Sequence, residues 1–302
     1  MMGRVPSVAA KRSAAMIFLY TDFGWSGPYV GQMRAALVAR APAGTPIIDL
    51  MHDAPAFDPL AAGRLLAAIL PATLAALPLV TIPAVFLAVV DPGVGTHRRP
   101  LAIRLSGKLG RPVWLVGPDN GLFQPVIHDT IATGGLAEAW EITWRPPVLS
   151  VSFHGRDLFA PVAARVAEGR DMGDWARPLA VDDLADDLAG AAPSGERGEG
   201  DTVGNGRILY IDGYGNGWTG LRPTGALDGS VAPDARLWVG GPEGGRAVEP
   251  ARTFGAVPQG AAFWYVNSSG LVEIAVNQGR ADEALGFTLG SPVGVRAPYI
   301  KL

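Results

Sequence analysis

The chain reads as an α/β domain with a mostly parallel sheet, followed by a smaller antiparallel all-β domain. Three observations predict this. Short apolar runs alternate with helix-period segments through the first half, a stretch rich in Asp, Gly, Glu and Ser interrupts the pattern at residues 183 to 206, and only short β-type runs follow it. The expected domains are residues 16–182 and 207–302, with 183–206 as a linker or exposed loop.

Taken in order, strands are expected at 16–20 (MIFLY), 46–50 (PIIDL), 85–90 (VFLAVV), 100–104 (PLAIR) and 112–116 (PVWLV), each bounded by Gly, Pro or Asp. A helix over 28–41 places Val30, Met33 and Leu37 on one face, and a second over 59–70 does the same with Leu65, Leu66, Ile69 and Leu70. A third starts near Arg156 and runs through RDLFAPVAARVAEG with Leu158, Val162 and Val166 in a stripe. RILYID, RLWVG, AAFWYVN, LVEIAVN and PVGVR supply the β runs of the second domain. Ligands of α/β sheets bind beyond the carboxyl ends of strands, where Asp22 and Asp91 both fall.

Composition narrows the function classes. The 302 residues are 48% hydrophobic, enough for a sizeable core. With 25 Lys plus Arg against 28 Asp plus Glu the net charge is -3, and no basic stripe is visible, which argues against nucleic acid or an anionic membrane as main partner. The absence of cysteine excludes disulfides, thiolate metal sites and Cys nucleophiles; it leaves the compartment open, with the cytoplasm as default. Residues 1–15 carry basic residues without the apolar run of a signal peptide and read as a loose tail, with Met16 near the true start. The uncharged stretch Leu65 to Val90 is long enough to cross a membrane, but Pro71, Pro78 and Pro83 interrupt it and its end reads as a buried strand.

Several motif readings fail on order or spacing. The DFG at 22–24 precedes HGRD by more than a hundred residues, whereas a kinase has them in reverse order after a Gly-rich loop. There is no GxxxxGK[ST], no GxGxxG after a strand and no GxSxG. His52, His97, His128 and His154 show no metal-ligand spacing. What remains is VVDPGVGTHR and SFHGRD. Pro92, Gly93 and Gly95 allow a sharp turn across which Asp91 and Arg98 can meet. With His154 they form a set able to hold and orient a water; the alternative is an ion pair closing the loop, with His154 capping the next helix.

TDFG, DPGVGTHRR, PDNGL (118–122), FHGRDLFAPVAA, YIDGYGN (210–216) and NSSGLVEIAVNQG (267–279), in this order, resemble the S-adenosyl-L-methionine hydroxide adenosyltransferase family, related to the fluorinase and chlorinase enzymes. The resemblance spans roughly Met16 to Val295. It implies an α/β domain and a β domain, a homotrimer with active sites between subunits, and attack at the ribose C5′ of S-adenosylmethionine. Water as nucleophile gives adenosine and L-methionine, with no metal or cofactor.

By the same resemblance Asp91, Arg98 and His154 are the catalytic set and Asp22 receives both ribose hydroxyls, as two carboxylate oxygens can accept from a vicinal diol. Phe57 lies beside the substrate. Asp212 and Asn216 contact the methionine amino group and the adenine, and Ser268 and Ser269 receive the methionine carboxylate. Alternatives are a helix N-cap for Asp22, a core role for Phe57 and plain turns for DGYGN and NSSG. The chain departs from the family pattern at 65–84, where a Pro- and Leu-rich stretch stands. Halide transfer and a non-catalytic sensor of S-adenosylmethionine or adenosine are the alternative functions; halogenating relatives lack the Asp-Arg-His set, and a sensor would not need it.

Overall fold

The computed structural model of the chain describes residues 15–77, 82–185, 202–223, 230–240 and 245–296. The first half contains β1 (Met16–Thr21), α1 (Tyr29–Val38), β2 (Ile47–Met51), α2 (Pro59–Ala75), β3 (Ala84–Val89), β4 (Pro100–Ser106) and β5 (Val113–Pro118). It continues with α3 (Gln124–Ala132), β6 (Leu136–Ile142), a single π-helical turn (Gly155–Phe159), α4 (Ala160–Glu168) and β7 (Ala176–Leu179). The strands form one sheet in the order β2-β1-β3-β5-β4-β6-β7.

The central strand β3 shows why these runs fold as they do. Every residue in it is buried, and its side chains alternate between two cores. Val85, Leu87 and Val89 meet Met33 and Leu37 of α1 and Val162 of α4; Ala84, Phe86 and Ala88 meet Leu66 and Leu70 of α2 and Val126 of α3. Phe86 stacks on Phe18 of β1 at 4.9 Å between ring centroids. Burying one such aromatic contributes about 1.5–3 kcal/mol, so helices on both faces follow from the unbroken apolar run.

The sheet is mixed, not mostly parallel as expected. β1, β2, β3 and β5 pair in parallel, whereas β4 lies antiparallel to β5 and β6, and β6 antiparallel to β7. The reason is the length of a connection: residues 107–112 between β4 and β5 are too few for the crossover that a parallel pair requires. The sequence also hid β6, β7 and α3. β6 (LAEAWEI) is half-exposed and carries two glutamates, so its period is weak.

The second half contains β8 (Thr202–Ile211), β9 (Gly217–Thr219), β10 (Arg222–Pro223), β11 (Ser230–Val231), β12 (Arg236–Val239), β13 (Arg246–Pro250), β14 (Ala262–Val266), β15 (Val272–Val276), α5 (Ala281–Leu285) and β16 (Pro292–Arg296). Seven of these strands close into a barrel, β12-β13-β14-β15-β9-β8-β16, which leaves none of its strands as a free edge. Among the described residues its pairs are antiparallel except β13 with β14. Leu237, Trp264, Ile274 and Val293 fill it. Of the stretch 183–206 read as linker or loop, residues 186–201 lie outside the described residues, and Thr202 onward is strand.

Sheet and barrel meet over α2. Leu65, Ala68 and Leu271 form a small apolar cluster, ringed by polar ties: Tyr210 donates to Asp53 at 2.9 Å, Arg207 to Asp58 at 3.0 Å and Arg222 to Asp129 at 2.7 Å. Asp58 also caps α2, accepting from the Ala61 N–H at 2.8 Å. The uncharged stretch 65–90 divides between α2, which contains Pro71, and β3, and residues 78–81 are outside the described set. No helix among the described residues is long and apolar enough to cross a membrane.

Candidate active site

The DPGVGTHR segment leaves β3 through consecutive tight turns: the Val94 N–H donates to the Asp91 carbonyl, and both the N–H and the hydroxyl of Thr96 donate to the Gly93 carbonyl. Gly95 lies at φ 82°, where a Cβ would come within 2.7 Å of the Val151 carbonyl oxygen, so glycine alone fits. These turns bring Arg98 back over Asp91. Arg98 Nε donates to the Asp91 carboxylate oxygens at 2.8 and 3.0 Å, and Nη2 grips Oδ2 from the side. Both side chains are nearly sealed from solvent. The guanidinium also lies over the Phe159 ring.

His154 completes the set. It stands at the entrance to the π turn, makes no capping hydrogen bond with its side chain, and accepts instead from Arg98 Nη2 on Nδ1 at 3.0 Å. An arginine only donates, so Nδ1 carries no proton and Nε2 does. Burial pushes the His154 pKa below its ordinary value and the Arg98 charge adds to that, which keeps the ring neutral near pH 7. Insertion of a π turn at a ligand-facing helix start is a recurrent functional device.

Asp22 lies just past the end of β1 and shares one small cavity, about 90 Å³, with Phe57, Asp91, Phe153 and His154. Burial raises the Asp22 pKa, and the nearby Asp91 charge adds to the rise, while hydrogen bonds from the backbone of Asp22 and Phe57 oppose it. Phe57 takes a left-handed backbone (φ 61°) rare for a bulky residue and is 81% exposed, so it is not a core residue. Asp22 is not a helix cap either: α1 begins after Pro28 without a side-chain cap.

The turn that carries Asp22 is braced from behind. His52, fully buried, bonds to the Thr21 hydroxyl through Nδ1 at 2.8 Å and to Asp49 through Nε2 at 3.1 Å; Arg34 then donates to Asp49 at 2.6 Å. In the sequence His52 is only one of four unspaced histidines. Its neighbours explain it: a buried imidazole needs partners at both nitrogens, and DLMH at the end of β2 supplies one of them, Asp49, three residues earlier.

Asp212, Asn216 and Ser268 line a different cavity, of about 820 Å³, against the outer face of the barrel where Tyr265 and Glu273 point away from the core. Asp212 Oδ1 accepts from the Tyr214 and Asn216 N–H groups and Oδ2 from the Asn216 amide, an Asx-type turn that fixes DGYGN. Ser269 donates its N–H to Asn267, which shapes the turn beneath Ser268. Phe254, Tyr265, Asn267 and Glu273 also line this cavity, and sequence reasoning misses them; the signal for Glu273 is a lone carboxylate in the otherwise apolar run VEIAV. No lining residue is shared with the first cavity. No group of three or more His, Asp and Glu among the described residues is arranged to hold a metal ion.

A carboxylate at a strand end beside an Asp-Arg-His set, facing a cleft, with a second cavity against the barrel, is an arrangement suited to binding and reacting a polar small molecule. Comparison with known proteins is more specific. Residues 17–176 match the family model of the SAM hydroxide adenosyltransferase N-terminal domain, and residues 206–294 that of the C-terminal domain. The chain is 39% identical over 287 residues to an (R)-S-adenosyl-L-methionine hydrolase of Thermus thermophilus, covering 92% of this chain and 98% of that protein. It is 37% identical over 291 residues to one of Salinispora arenicola, covering 94% and 99%.

Among solved structures, an uncharacterized conserved protein from Thermotoga maritima superposes with a TM-score of 0.70 at 29% identity, over 93% of this chain and 100% of that one. A conserved hypothetical protein from Thermus thermophilus gives 0.64 at 34% identity, over 93% and 99%. The chain belongs to the SAM hydroxide adenosyltransferase family.

Proposed function

We propose that this protein hydrolyses S-adenosyl-L-methionine to adenosine and L-methionine, and that Asp91, Arg98 and His154 carry the reaction. The observation that carries this reading is that Arg98 ties Asp91 to His154, and both of these line the cleft that Asp22 also lines. A water oxygen bonds to C5′ as the C5′–S bond breaks, and the bonding pair leaves on sulfur as a neutral thioether, so no general acid is needed. The oxygen then sheds a proton. His154, with Nδ1 occupied by Arg98 and Nε2 already protonated, is a donor in this arrangement; Asp91 is the acceptor. The reaction as written needs no metal or organic cofactor. Aligning water in line with the sulfonium is the main task left to the protein.

Asp22 receives the two ribose hydroxyls, and Phe57 packs beside the ribose. Asp212 takes the methionine amino group, Asn216 the adenine, and Ser268 and Ser269 the methionine carboxylate. A cavity of about 90 Å³ is far below the roughly 300 Å³ at which pockets for such ligands begin. The second set of matching residues faces a separate cavity. This division supports a homotrimer in which the barrel of one copy completes the cleft of another, with the exposed Trp25, Tyr29 and Phe57 covered in the assembly. The two domains divide between Ala185 and Thr202, and the cytoplasm is the working compartment. Since its relatives are named for the (R) sulfonium, we extend that configuration to this chain.

Liquid chromatography of the purified protein with each sulfonium epimer, in chloride-free and chloride-rich buffer, tests the reading. Adenosine and methionine in both buffers, faster from the (R) epimer, are expected. 5′-Chloro-5′-deoxyadenosine appearing with chloride, or binding without any product, would replace it with halide transfer or a sensor.

A further inference from the structure

The PDNGL motif (118–122) has no part in the chemistry above, yet it lies under the loop that carries Asp91 and Arg98. That loop, residues 90–99, leaves β3 after Val89 and enters β4 at Pro100, but β3 and β4 are not neighbours: β5 runs between them. β5 is parallel to β3 and antiparallel to β4, so the loop arches over its carboxyl end. Pro118 is the last residue of β5, and Asp119 and Asn120 follow it where the arch crosses.

Each foot of the arch is tied to one of these two residues. At the first, one residue before Asp91, the Asn120 amide donates to the Val90 carbonyl at 2.9 Å. The amide is fixed in this orientation, because its Oδ1 accepts from the Leu122 N–H at 3.3 Å and Nδ2 alone can face a carbonyl. Val90 is fully buried, where a carbonyl needs a donor. At the second foot, one residue after Arg98, the Asp119 N–H donates to the Arg99 carbonyl at 2.8 Å, and Asp119 Oδ2 accepts from Arg99 Nε at 2.7 Å. Asp119 is buried, and its other oxygen accepts from the Ala185 N–H at 2.9 Å, while Arg99 Nη2 donates to the Asp183 carbonyl. The internal turns of the loop bring Arg98 to Asp91. His154 belongs to a separate segment at the start of the π turn, so the arch as a whole has to be placed against it.

We infer that Asp119 and Asn120 are positioning residues for the Asp91, Arg98 and His154 set: they hold both feet of the arch on the end of β5, so that Arg98 reaches His154 Nδ1 as well as Asp91. The inference rests on the assignment of that set to catalysis. Neither residue lines the cleft, and the effect falls on the chemical step rather than on affinity.

Asn120→Asp tests the first foot, since it keeps the acceptor for Leu122 and sets an oxygen against the Val90 carbonyl. Arg99→Ala tests the second. NMR of the full-length protein carrying isotopically labelled histidine, with His154 assigned from His154→Gln, reads the tautomer that Arg98 imposes; S-adenosylmethionine turnover beside adenosine binding separates kcat from affinity. Wild type is expected to hold His154 as the Nε2–H form. In both folded variants His154 is expected to become a mixture of tautomers and kcat to fall by about 10- to 10²-fold, the scale of small misplacements of reacting groups, with the adenosine Kd unchanged. Gln124→Ala removes a neighbouring bond, to the Ala185 carbonyl at 3.2 Å, without touching either foot, and is expected to keep both tautomer and kcat. Folded variants that keep either the wild-type tautomer or the wild-type kcat overturn the proposal, even where the melting temperature drops. So does a Gln124→Ala protein that loses both as fully as the foot variants. If Asn120→Asp does not fold, Arg99→Ala decides, because that side chain is partly exposed. A wild type that never hydrolyses S-adenosylmethionine removes the hydrolase reading, and the tautomer alone then decides whether the two feet place Arg98 against His154.

Discussion

Arg98 shares the two hydrogens of its Nη2 between Asp91 and His154, so one planar group fixes a carboxylate and the tautomer of an imidazole at once. Lysine, a point donor on a flexible stem, cannot do both. The direct test of the cluster is Asp91→Asn. Turnover is expected to fall by about 10²-fold or more, in the range that positioned proton acceptors contribute, with ligand affinity held within tenfold. Single-turnover chromatography beside equilibrium binding separates the two, and unchanged turnover would remove Asp91 from the reaction.

The pH dependence follows from the imidazole. Burial first, and Arg98 second, push the His154 pKa below 6.5. A group whose folded value lies below its unfolded value contributes stability that is complete above the unfolded value and is lost as pH falls through the folded one. Both kcat/KM and thermal stability should therefore be flat through neutrality and decline only on the acid side of 6.5. His154→Gln, which does not titrate, should lose that limb; a variant that keeps it assigns the limb to another group.

Asp22→Ala should act on binding. Two ribose hydroxyls left without their acceptor cost about 1–3 kcal/mol, or roughly 5- to 150-fold in affinity. Competition binding of adenosine against 2′,3′-dideoxyadenosine gives the answer: the variant should no longer distinguish them. A change confined to kcat would place Asp22 elsewhere in the mechanism.

Gly95→Ala probes the turn itself. An alanine at φ 82° costs about 1–2 kcal/mol from backbone alone, and its Cβ meets the Val151 carbonyl oxygen. A lower denaturation midpoint together with a loss of turnover is expected, since Arg98 moves with the loop. Stability lost without activity would show that the loop tolerates the shift.

The two cavities give a test by complementation. Chains carrying Asp91→Asn and chains carrying Asn216→Ala should each be poorly active alone, and activity should return when they are unfolded and refolded together. No recovery in the mixed sample, with mixed assemblies verified by mass, would argue that one chain builds the whole site.

Much of this was legible in the sequence where one residue type answers one local demand. The unbroken apolar runs of β1 and β3 and the Gly-rich turn after Asp91 left few alternatives, and Asp91, Arg98, His154 and Asp22 do meet. What stayed hidden depends on distant partners. Nothing local to PLAIR tells that β4 runs against β5, because strand direction is set by the length of the connection. His52 and Glu273 look like an isolated base and an isolated acid until Thr21, Asp49, Tyr265 and Asn267 close around them. That Asp212 and Asn216 face a cavity apart from Asp91 is likewise a matter of tertiary arrangement.

The π turn at Gly155–Phe159 acts as a length gauge. It holds one residue more than an α-helical path would use between His154 and the core-packed face of α4, and each α-helical residue advances the chain by about 100°. Removing a single residue there while α4 keeps its buried face would rotate the imidazole off Arg98 without altering any side chain in the cluster. Chain length in this one turn is thus as much a requirement of the site as the identity of its residues, and a relative that keeps all three side chains but lacks the extra residue would not be expected to aim them together.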